Sequence, residues 1–429
     1  MNEGWIKEKI GLLKDNRRVD DVALRLTTED QNLTRFAENH IIQNVSKKIN
    51  DVYITAFNEK SKGVARTQDT KDESLLRTLK RAEEIALSSP ADPEFIEPLD
   101  EREVKGIQRY FGRTKNITPG EKAEEINRIK KEAKSRKIEI AGQYLNGEYF
   151  VGYANSRGHI AFHCYTNANF SLTAMLDDSS GYASETDENI DKVDPGRVAD
   201  VAFSKAILGK NPVGLKAGEY VVILEPQAVA DFIPFLAWSM DRRASDEGYV
   251  YFSERLNKRI ASPKINLYSD PSCIDNPSEP FVSENGLPLE KVYWIENGIL
   301  KNLHTSRYWA KKKDLKPIGF PTNVILGGGK KSTAEIIKES DDVLLVTRLW
   351  YIRFVNRKDL ILTGMTRDGL YRVKNGKIVT SFKNMRFNDS PIRLLDSVLE
   401  LGLPKRIEGY ALIPPIVAQG FKLASETLF

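Results

Sequence analysis

The chain has 429 residues, of which 41% are hydrophobic and 29% charged, the proportions of a soluble globular protein. This length exceeds what one hydrophobic core usually serves, so two or three domains are expected. The net charge of +4 comes from 64 basic and 60 acidic residues mixed along the chain, without the clustered basic face of a nucleic-acid-binding protein. No apolar run approaches the roughly 18 residues that cross a bilayer, so we expect no membrane association and a cytoplasmic location.

Residues 1–98 combine helical and strand patterns. Residues 1–15 place apolar and charged side chains at helical spacings, which predicts an amphipathic helix and not a signal peptide. A second helix is predicted over residues 73–88, with Asp72 as its N-cap and a proline-rich turn as its end. Four runs of strand composition lie between the helices and predict an antiparallel meander: residues 21–27, 32–36, 41–45 and 51–57.

Residues 99–212 follow a proline-containing linker at residues 92–99. Thr118-Pro-Gly-Glu121 is a capping box with proline at the first helical position, so a helix begins there. A further helix is predicted over residues 195–208. Four β-rich runs, separated by Asn-Gly, Ser-Arg-Gly and Asn-Ala turns, predict a sheet between these helices: residues 138–144, 148–155, 159–166 and 169–177.

Residues 213–429 are organised around a strand and the helix that follows it. Residues 220–224 predict a buried strand, and after Pro226 the apolar residues recur every three or four positions, as in a core helix. Asn297-Gly298 and Asn375-Gly376 are typical of two-residue hairpin turns. Further strands are predicted at residues 264–268, 291–294, 343–354, 360–367, 369–373, 377–382 and 410–423, and helices at 305–312, 333–340 and 390–402.

Together these elements predict an α+β fold. Its N-terminal α/β half, with antiparallel sheets and covering helices, is expected to comprise a domain at residues 1–98 and a central domain at residues 99–212. A β-rich C-terminal domain is expected at residues 213–429.

Histidine and cysteine offer few metal ligands in this sequence. His159, His163 and Cys164 form the one cluster, but their neighbours alternate as in a strand. Four residues along a strand separate two side chains by about 13 Å, too far to share one ion. His40 and His304 lack a recognisable nucleophile or orienting carboxylate in sequence and are expected to have hydrogen-bonded surface roles. We therefore predict no metal site in this chain.

Two lysine-containing segments suggest phosphate or nucleic acid, but neither has the complete pattern. Residues 327–332, Gly-Gly-Gly-Lys-Lys-Ser, lack the earlier glycine of a phosphate-binding loop, so a flexible loop is expected. Lys311, Lys312, Lys313 and Lys316 form the one basic run, for which a solvated helix end is expected.

Polar runs that burial does not dictate occur at both ends of the chain, at residues 33–40, 43–45, 344–347, 363–369, 373–378 and 383–387. These runs resemble the TldD/PmbA family, known as modulators of DNA gyrase and as the two-subunit TldD/TldE protease, over nearly the whole chain. In the metal-bearing subunit of that family, the helix after the buried strand carries His-Glu-x-x-x-His, and a cysteine near the carboxyl terminus is the third zinc ligand. Here residues 229–238 contain Asp231 but no His or Cys, and the last cysteine is Cys273. The sequence therefore resembles the TldE/PmbA-like subunit, which lacks the zinc motif.

The resemblance implies a non-catalytic subunit of a zinc metalloprotease that cleaves short or unfolded peptides. Such a chain would be inactive alone and hold no cofactor, and a TldD-like partner would supply the zinc in a heterodimer. A homodimer is the alternative assembly. Arg348, Thr363, Arg367 and Asp368, polar residues of the C-terminal strands, are the predicted contacts to an extended peptide.

Two other functions stay open at this stage. One is a peptide-binding or regulatory scaffold that acts alone, for instance a gyrase-associated factor. The other is a hydrolase that uses His and Asp residues without a metal. A neighbouring gene for a relative with the zinc motif would favour the two-subunit protease.

Overall fold

The structure is a computed structural model that describes residues 2–320, 322–409 and 411–427. Met1 and Tyr410, which the predicted first helix and last strand include, lie outside the described residues. Within the described part, no helix has both the length and the apolar character to cross a membrane.

The N-terminal half is built on one seven-stranded sheet. In chain order its elements are α1 (Glu3–Asn16), β1 (Asp21–Ala37), β2 (His40–Asn58), β3 (Ser61–Thr67), α2 (Asp72–Ser88), β4 (Arg102–Lys105), α3 (Gly112–Asn116), α4 (Pro119–Ser135), β5 (Glu139–Asn155), β6 (His159–Leu176), β7 (Ser179–Asp187), a 3₁₀ turn (Ile190–Lys192) and α5 (Pro195–Leu208). The strand order is β3-β2-β1-β5-β6-β4, and β7 also pairs with β6. The pairs are antiparallel except that of β4 with β6.

One face of this sheet carries the long helices and the other faces the C-terminal half. Leu24 of β1 packs in a core with α1 and α2, and Phe36 of the same strand packs in a second core with α4 and α5. On the opposite face, Ala23 and Tyr153 pack with Phe281 of the C-terminal half. Because alternate strand residues point to opposite faces, Ala23 and Arg25 of β1 face the second half of the molecule, where Arg25 lies 3.4 Å from the Glu284 carboxylate.

The strands of the N-terminal half are longer than predicted. β1 and β2 form one continuous hairpin from the Asp21–Phe57 pair to the Ala37–His40 pair, so the predicted meander of four short strands is wrong. Side-chain hydrogen bonds between Ser46 and Asn32 and between Thr34 and Asn44 join the hairpin where apolar alternation is weak. Such cross-strand polar pairs stabilise a sheet without a hydrophobic pattern.

The predicted Asn-Gly and Asn-Ala turns are also wrong, because both dipeptides lie inside strands. Asn146 of β5 pairs with Ala168 of β6, and Gly147 pairs with Asn167. The Asn146 side chain donates a hydrogen bond to the Thr114 carbonyl and accepts one from the buried Lys122 ammonium. These buried contacts hold Asn146 in an extended conformation that its turn preference does not predict.

Helix ends agree with prediction where capping is local. Thr118 and Glu121 form the predicted capping box of α4. Asp72 is not the N-cap of α2, because the helix begins at Asp72 after Lys71; its carboxylate contacts the Lys9 ammonium instead, at 2.7 Å.

The C-terminal half contains two sheets around the predicted strand and helix. Its elements are β8 (Gly218–Leu224), α6 (Pro226–Trp238), α7 (Arg242–Asp246), β9 (Leu267–Ser269), β10 (Val292–Glu296), β11 (Ile299–Leu300), α8 (Arg307–Lys313), β12 (Val324–Leu326), α9 (Thr333–Glu339), β13 (Val343–Val346), β14 (Leu349–Asn356), β15 (Ile361–Thr366), β16 (Leu370–Lys374), β17 (Lys377–Ser381), β18 (Met385–Asp389), α10 (Pro391–Asp396), β19 (Val398–Leu401), β20 (Lys405–Ile407), β21 (Ala411–Ile413) and β22 (Ile416–Glu426). The six-stranded sheet has the order β11-β10-β9-β12-β21-β20. The nine-stranded sheet has the order β14-β15-β18-β22-β8-β13-β16-β17, with β19 paired to β22.

Both predicted hairpin turns are confirmed. Asn297 and Gly298 have φ values of 49° and 75°, and Asn375 and Gly376 have 49° and 71°, as two-residue hairpin loops require. The helix predicted over residues 390–402 is wrong beyond Asp396, because residues 398–401 pair with β22.

The predicted α+β class is confirmed. The division of residues 1–212 into two domains stays a prediction; their two segments contribute strands to the same sheet.

Candidate functional site

Helix α6 carries one carboxylate, Asp231, into a group of polar residues where the two halves meet, and we take this group as the candidate site. Proline at its first position suits the start of a helix, and its apolar side, which includes Phe232 and Leu236, is buried in the C-terminal core. Asp231 does not belong to that core. Its half-buried carboxylate accepts hydrogen bonds from the Leu349 backbone N–H at 3.0 Å and from the Gln227 side chain at 2.9 Å. Burial raises the pKa of Asp231 to about 6.

An ion pair within the C-terminal half contacts β7 at this site. The Arg348 guanidinium donates to the Asp368 carboxylate at 2.9 Å, and the Ser180 hydroxyl of β7 donates to the other oxygen of Asp368 at 2.7 Å. Arg348 also lies over the Tyr182 ring, with 3.8 Å between the guanidinium carbon and the ring centroid. The structure therefore brings the predicted contacts Arg348 and Asp368 together beside β7, and the guanidinium of a third, Arg367, lies 4.0 Å from the Asp368 carboxylate.

The turn that presents Asp368 depends on an unusual backbone. Asp368 has φ of +57° and Gly369 has φ of +139°, a region that side chains rarely tolerate. A Cβ on Gly369 would lie 2.6 Å from the Tyr371 ring. The Thr347 hydroxyl fixes the turn from the neighbouring strand by donating to the Asp368 carbonyl at 3.0 Å.

The other two predicted contacts lie outside this pair. The exposed Arg367 guanidinium stacks on the Trp350 ring at 5.2 Å and lines, with Asp368, a cleft of about 710 Å³. The Thr363 hydroxyl donates to the Phe387 carbonyl of the adjacent strand at 3.0 Å, so it serves the sheet. In register, Thr363 lies opposite Arg353 of β14.

Sequence analysis missed the contributions of Asn169, Tyr182 and Glu408. Sequence analysis predicts no strand at residues 179–184, but they belong to β7, where alternation places Ser180 and Tyr182 on the face that contacts Asp368 and Arg348. Burial raises the pKa of Tyr182, and the charges that act on it include those of Arg348, Glu408 and Asp231. The alternation of Ser180, Tyr182 and Ser184 is the one sequence signal that could have revealed this strand.

A buried hydrogen-bond acceptor lies beside these residues. Asn169 of β6 is 1% exposed, and its side-chain oxygen has no hydrogen-bond partner in the described part of the chain. Its amide donates to the Glu185 carbonyl at 3.4 Å and also acts on the nearby Glu408 carboxyl, whose pKa is raised because protein surrounds it, although the residue remains exposed to solvent. Buried polar atoms without a partner are uncommon, and this oxygen, although closed to solvent, has the capacity to accept one more hydrogen bond.

The residues on α6 do not fit a zinc ion. Zinc in peptidases takes three protein ligands, whereas α6 offers one carboxylate that already holds a backbone amide. Across the described residues, no group of three or more His, Cys, Asp and Glu side chains is arranged to hold a metal.

The histidines lie away from Asp231 and make structural contacts. Both ring nitrogens of His159 are within hydrogen-bond distance of backbone carbonyls, those of Gly286 at 2.8 Å and Asp100 at 3.3 Å. Burial lowers the pKa of His163 to about 4, so its ring is neutral near pH 7. The predicted strand at these residues is confirmed. His304 and His40 each hydrogen-bond a backbone carbonyl.

Comparison with known proteins agrees with this fold. Residues 217–425 match the PmbA/TldA metallopeptidase C-terminal domain. The chain is 21% identical to a metalloprotease TldD homolog of Buchnera aphidicola, covering 81% of this chain and 78% of that protein. It is 22% identical to the metalloprotease PmbA of Escherichia coli O157:H7, covering 77% and 76%.

Solved structures share the architecture at low sequence identity. TldE from Thermococcus kodakarensis superimposes with a TM-score of 0.87 at 18% identity, covering 98% of this chain and all of that one. A putative modulator of DNA gyrase from Bacteroides thetaiotaomicron gives 0.86 at 16% identity, covering 99% of both chains.

Fold and site thus define an α+β protein with a metallopeptidase-type C-terminal domain. Residues 217–425 form a domain of the PmbA/TldA metallopeptidase type, and the relatives that match most of the chain at 21% and 22% identity are named as metalloproteases.

Proposed function

We propose that this chain is the zinc-free, TldE/PmbA-like subunit of a TldD/TldE-type peptidase that degrades short or unfolded peptides. The observation that carries this proposal is the chemistry of α6. At the helix where the metal-bearing subunit would hold zinc, this chain has one carboxylate, Asp231, and that carboxylate is engaged by the Leu349 amide. The helix is therefore built to support the adjoining strand.

The polar groups of the site are suited to hold a peptide backbone. The unpaired oxygen of Asn169 can accept a backbone N–H, and the carboxylate of Glu408 is open to solvent beside it. The Arg348–Asp368 pair fixes the wall of the site and leaves little free charge there. In the proposed complex, zinc on the partner supplies the activated water for hydrolysis. Residues of this chain bind and orient the peptide.

Co-expression tests the proposal directly. The tagged chain would be expressed alone and with the relative of the same organism that carries His-Glu-x-x-x-His. We expect a stable complex that cleaves an unfolded peptide, and no cleavage by this chain alone. The matched control replaces the glutamate of the partner's motif with glutamine, which should abolish cleavage and preserve the complex.

Two results would contradict the proposal. Cleavage of the peptide by the chain alone would instead support the alternative in which this chain is a hydrolase that uses His and Asp residues without a metal. A stable homodimer that ignores the metal-bearing relative would favour a scaffold that acts alone; the putative gyrase modulators among the similar structures make gyrase the first partner to test in that case.

A further inference from the structure

Strand β14 forms an exposed edge of the nine-stranded sheet. Among residues 2–320, 322–409 and 411–427, it pairs only with β15. Trp350 is 42% exposed, and Tyr351 and Val355 are each 61% exposed. An edge strand with unpaired backbone groups and exposed apolar side chains is a template for pairing with another extended chain.

A bulge shapes this edge. Tyr351 and Ile352 have no partners in the register between Trp350 and Arg353, and Tyr351 has φ of +56°. A bulky residue in this region of φ is strained, and bulges of this kind redirect side chains at edges and binding sites. Here the Tyr351 ring is turned to solvent, where the Arg353 guanidinium covers it at 4.3 Å.

The charge of this edge is predominantly positive. Residues 349–366, which exclude the Arg348 paired with Asp368, contain three basic residues and one acidic residue, a net charge of +2. Arg353 and Arg357 are exposed and form no ion pair with a carboxylate within the described residues; each lies over a ring of its own strand. The single acidic residue, Asp359, accepts a hydrogen bond from Asn356.

We propose that β14 binds an acidic peptide segment in extended conformation, as an added strand. Backbone groups of the edge would pair with the peptide backbone, the exposed rings would contact its apolar side chains, and the arginines would contact its carboxylates. This inference rests on the proposed function and deepens it, because it assigns a charge class and an entry site to the peptide. β14 begins at Leu349, whose amide binds Asp231, so an added strand of about 26 Å would lead to the candidate site.

The same observations disfavour two other occupants. A second copy of the chain, pairing β14 with β14, would place arginines beside arginines, and like charges across strands destabilise a sheet. Single-stranded nucleic acid also binds arginines and aromatic rings. Its backbone, however, lacks the alternating donors and acceptors that an open strand edge matches.

Binding to the full chain alone tests the proposal. A fluorescent 12-residue peptide that alternates glutamate with valine and tyrosine would be compared with the same peptide carrying lysine for glutamate. We expect the acidic peptide to bind at least tenfold more tightly, and the difference to shrink as salt rises. Equal affinities, or no binding of either peptide, would overturn the proposal.

Charge reversal locates the site. The double variant Arg353→Glu/Arg357→Glu should weaken acidic-peptide binding at least tenfold. The matched control Lys131→Glu/Lys311→Glu makes the same change of charge at two exposed lysines of α4 and α8 and should keep affinity within twofold. If both variants lost affinity for the acidic peptide equally, the effect would follow from net charge alone and the assignment of the site to β14 would be overturned. Thermal unfolding of each variant would show whether it is folded.

Two further arms decide the binding mode. N-methylation of alternate residues on one edge of the peptide should abolish binding, and N-methylation on the other edge should leave binding intact. Binding that is insensitive to both modifications would refute strand addition.

A (dT)₁₂ oligonucleotide tests the class of ligand. If it bound as tightly as the acidic peptide and lost the same affinity in Arg353→Glu/Arg357→Glu, the ligand of this edge would be nucleic acid and the proposal of a peptide would be overturned.

The test of the β14 peptide site can fail or succeed independently of the test of the proposed function. Peptide binding is measured without the partner, whereas the proposed function is judged by complex formation and cleavage. Wild-type chain that forms the active complex but does not bind the acidic peptide would refute only the β14 site. Peptide binding without complex formation would refute only the role as a subunit.

Discussion

Asp231 illustrates how a single acidic side chain of a core helix can support the strand beside it. Its carboxylate holds the Leu349 amide at the start of β14, and burial raises its pKa to about 6. The folded protein therefore binds a proton more tightly there than the unfolded chain does, for which the pKa is about 3.9. The contribution of this group to stability is complete below pH 4 and is lost as the pH rises through 6.

The variant Asp231→Asn should change the pH dependence of stability. Asparagine cannot ionise and can still accept the Leu349 N–H, so the variant should gain stability relative to wild type between pH 4 and pH 7, by on the order of 2 kcal/mol. Urea denaturation of both proteins across this range measures the difference. A difference that stays constant with pH would show that Asp231 is not protonated in the folded state.

Asn169 should affect peptide binding more than the chemical step. In the proposed complex, Asn169→Ala removes an acceptor for a peptide N–H, a loss of about 1 kcal/mol, or roughly fivefold in KM with kcat unchanged. Steady-state kinetics of the complex would test this, with Asn167→Ala as control, because the Asn167 oxygen is already bonded to the Thr186 hydroxyl. A fall in kcat at constant KM would contradict a binding role.

At the residue scale, sequence analysis named Arg348 and Asp368 as polar residues of the C-terminal strands; the structure pairs them with each other, and their contact with a peptide stays a prediction. Sequence analysis could not find Asn169, Tyr182 and Glu408. The first two lie in the N-terminal sheet and the third lies more than 200 residues later, and only the packing of the two halves brings them together. Local periodicity carries no information about such contacts.

At the scale of elements, the sequence predicted helix starts and hairpin turns correctly where these depend only on neighbouring residues. The capping box of α4 and the two Asn-Gly hairpins depend on neighbouring residues and are confirmed. The breaks predicted within β5 and β6 failed because Asn146 is bonded by Thr114 and Lys122, which are distant in sequence. Tertiary contacts override turn preference at such positions.

The hairpin at Asn297-Gly298 offers a test of backbone requirements. A Cβ on Gly298 would lie 2.2 Å from the Ala261 carbonyl oxygen, and φ is 75°. Gly298→Ala should therefore lower the free energy of unfolding by more than about 2 kcal/mol. Gly248→Ala is the control, since Gly248 has φ of 82° but open space around its Cβ position, and should cost about 1 kcal/mol. Equal losses would mean that the close contact has no energetic effect.

At the scale of the whole molecule, a buried charge cluster joins the two halves. Glu188 of the N-terminal half accepts hydrogen bonds from Arg406 of the C-terminal half at 2.8 Å and from Arg109 at 3.3 Å, and is 2% exposed. Such a cluster is costly to break, because removal of one partner leaves a buried charge without compensation.

The variant Glu188→Gln should weaken the junction between the halves. We expect a loss of about 3 kcal/mol in unfolding free energy and faster proteolysis in the linker at residues 92–99. Glu125→Gln, which removes an exposed pair with Arg128, should cost less than about 0.5 kcal/mol and leave proteolysis unchanged. Similar behaviour of both variants would show that the junction does not depend on Glu188.

The measurement that tests the account most directly is the zinc content of the purified chain alone and in complex with its metal-bearing relative, by mass spectrometry of the metal after equilibration with zinc. The account predicts less than about 0.1 zinc per chain alone and one zinc per complex, since α6 offers too few ligands. One zinc per isolated chain, lost in Asp231→Asn, would contradict it and make this subunit a metal-bearing enzyme.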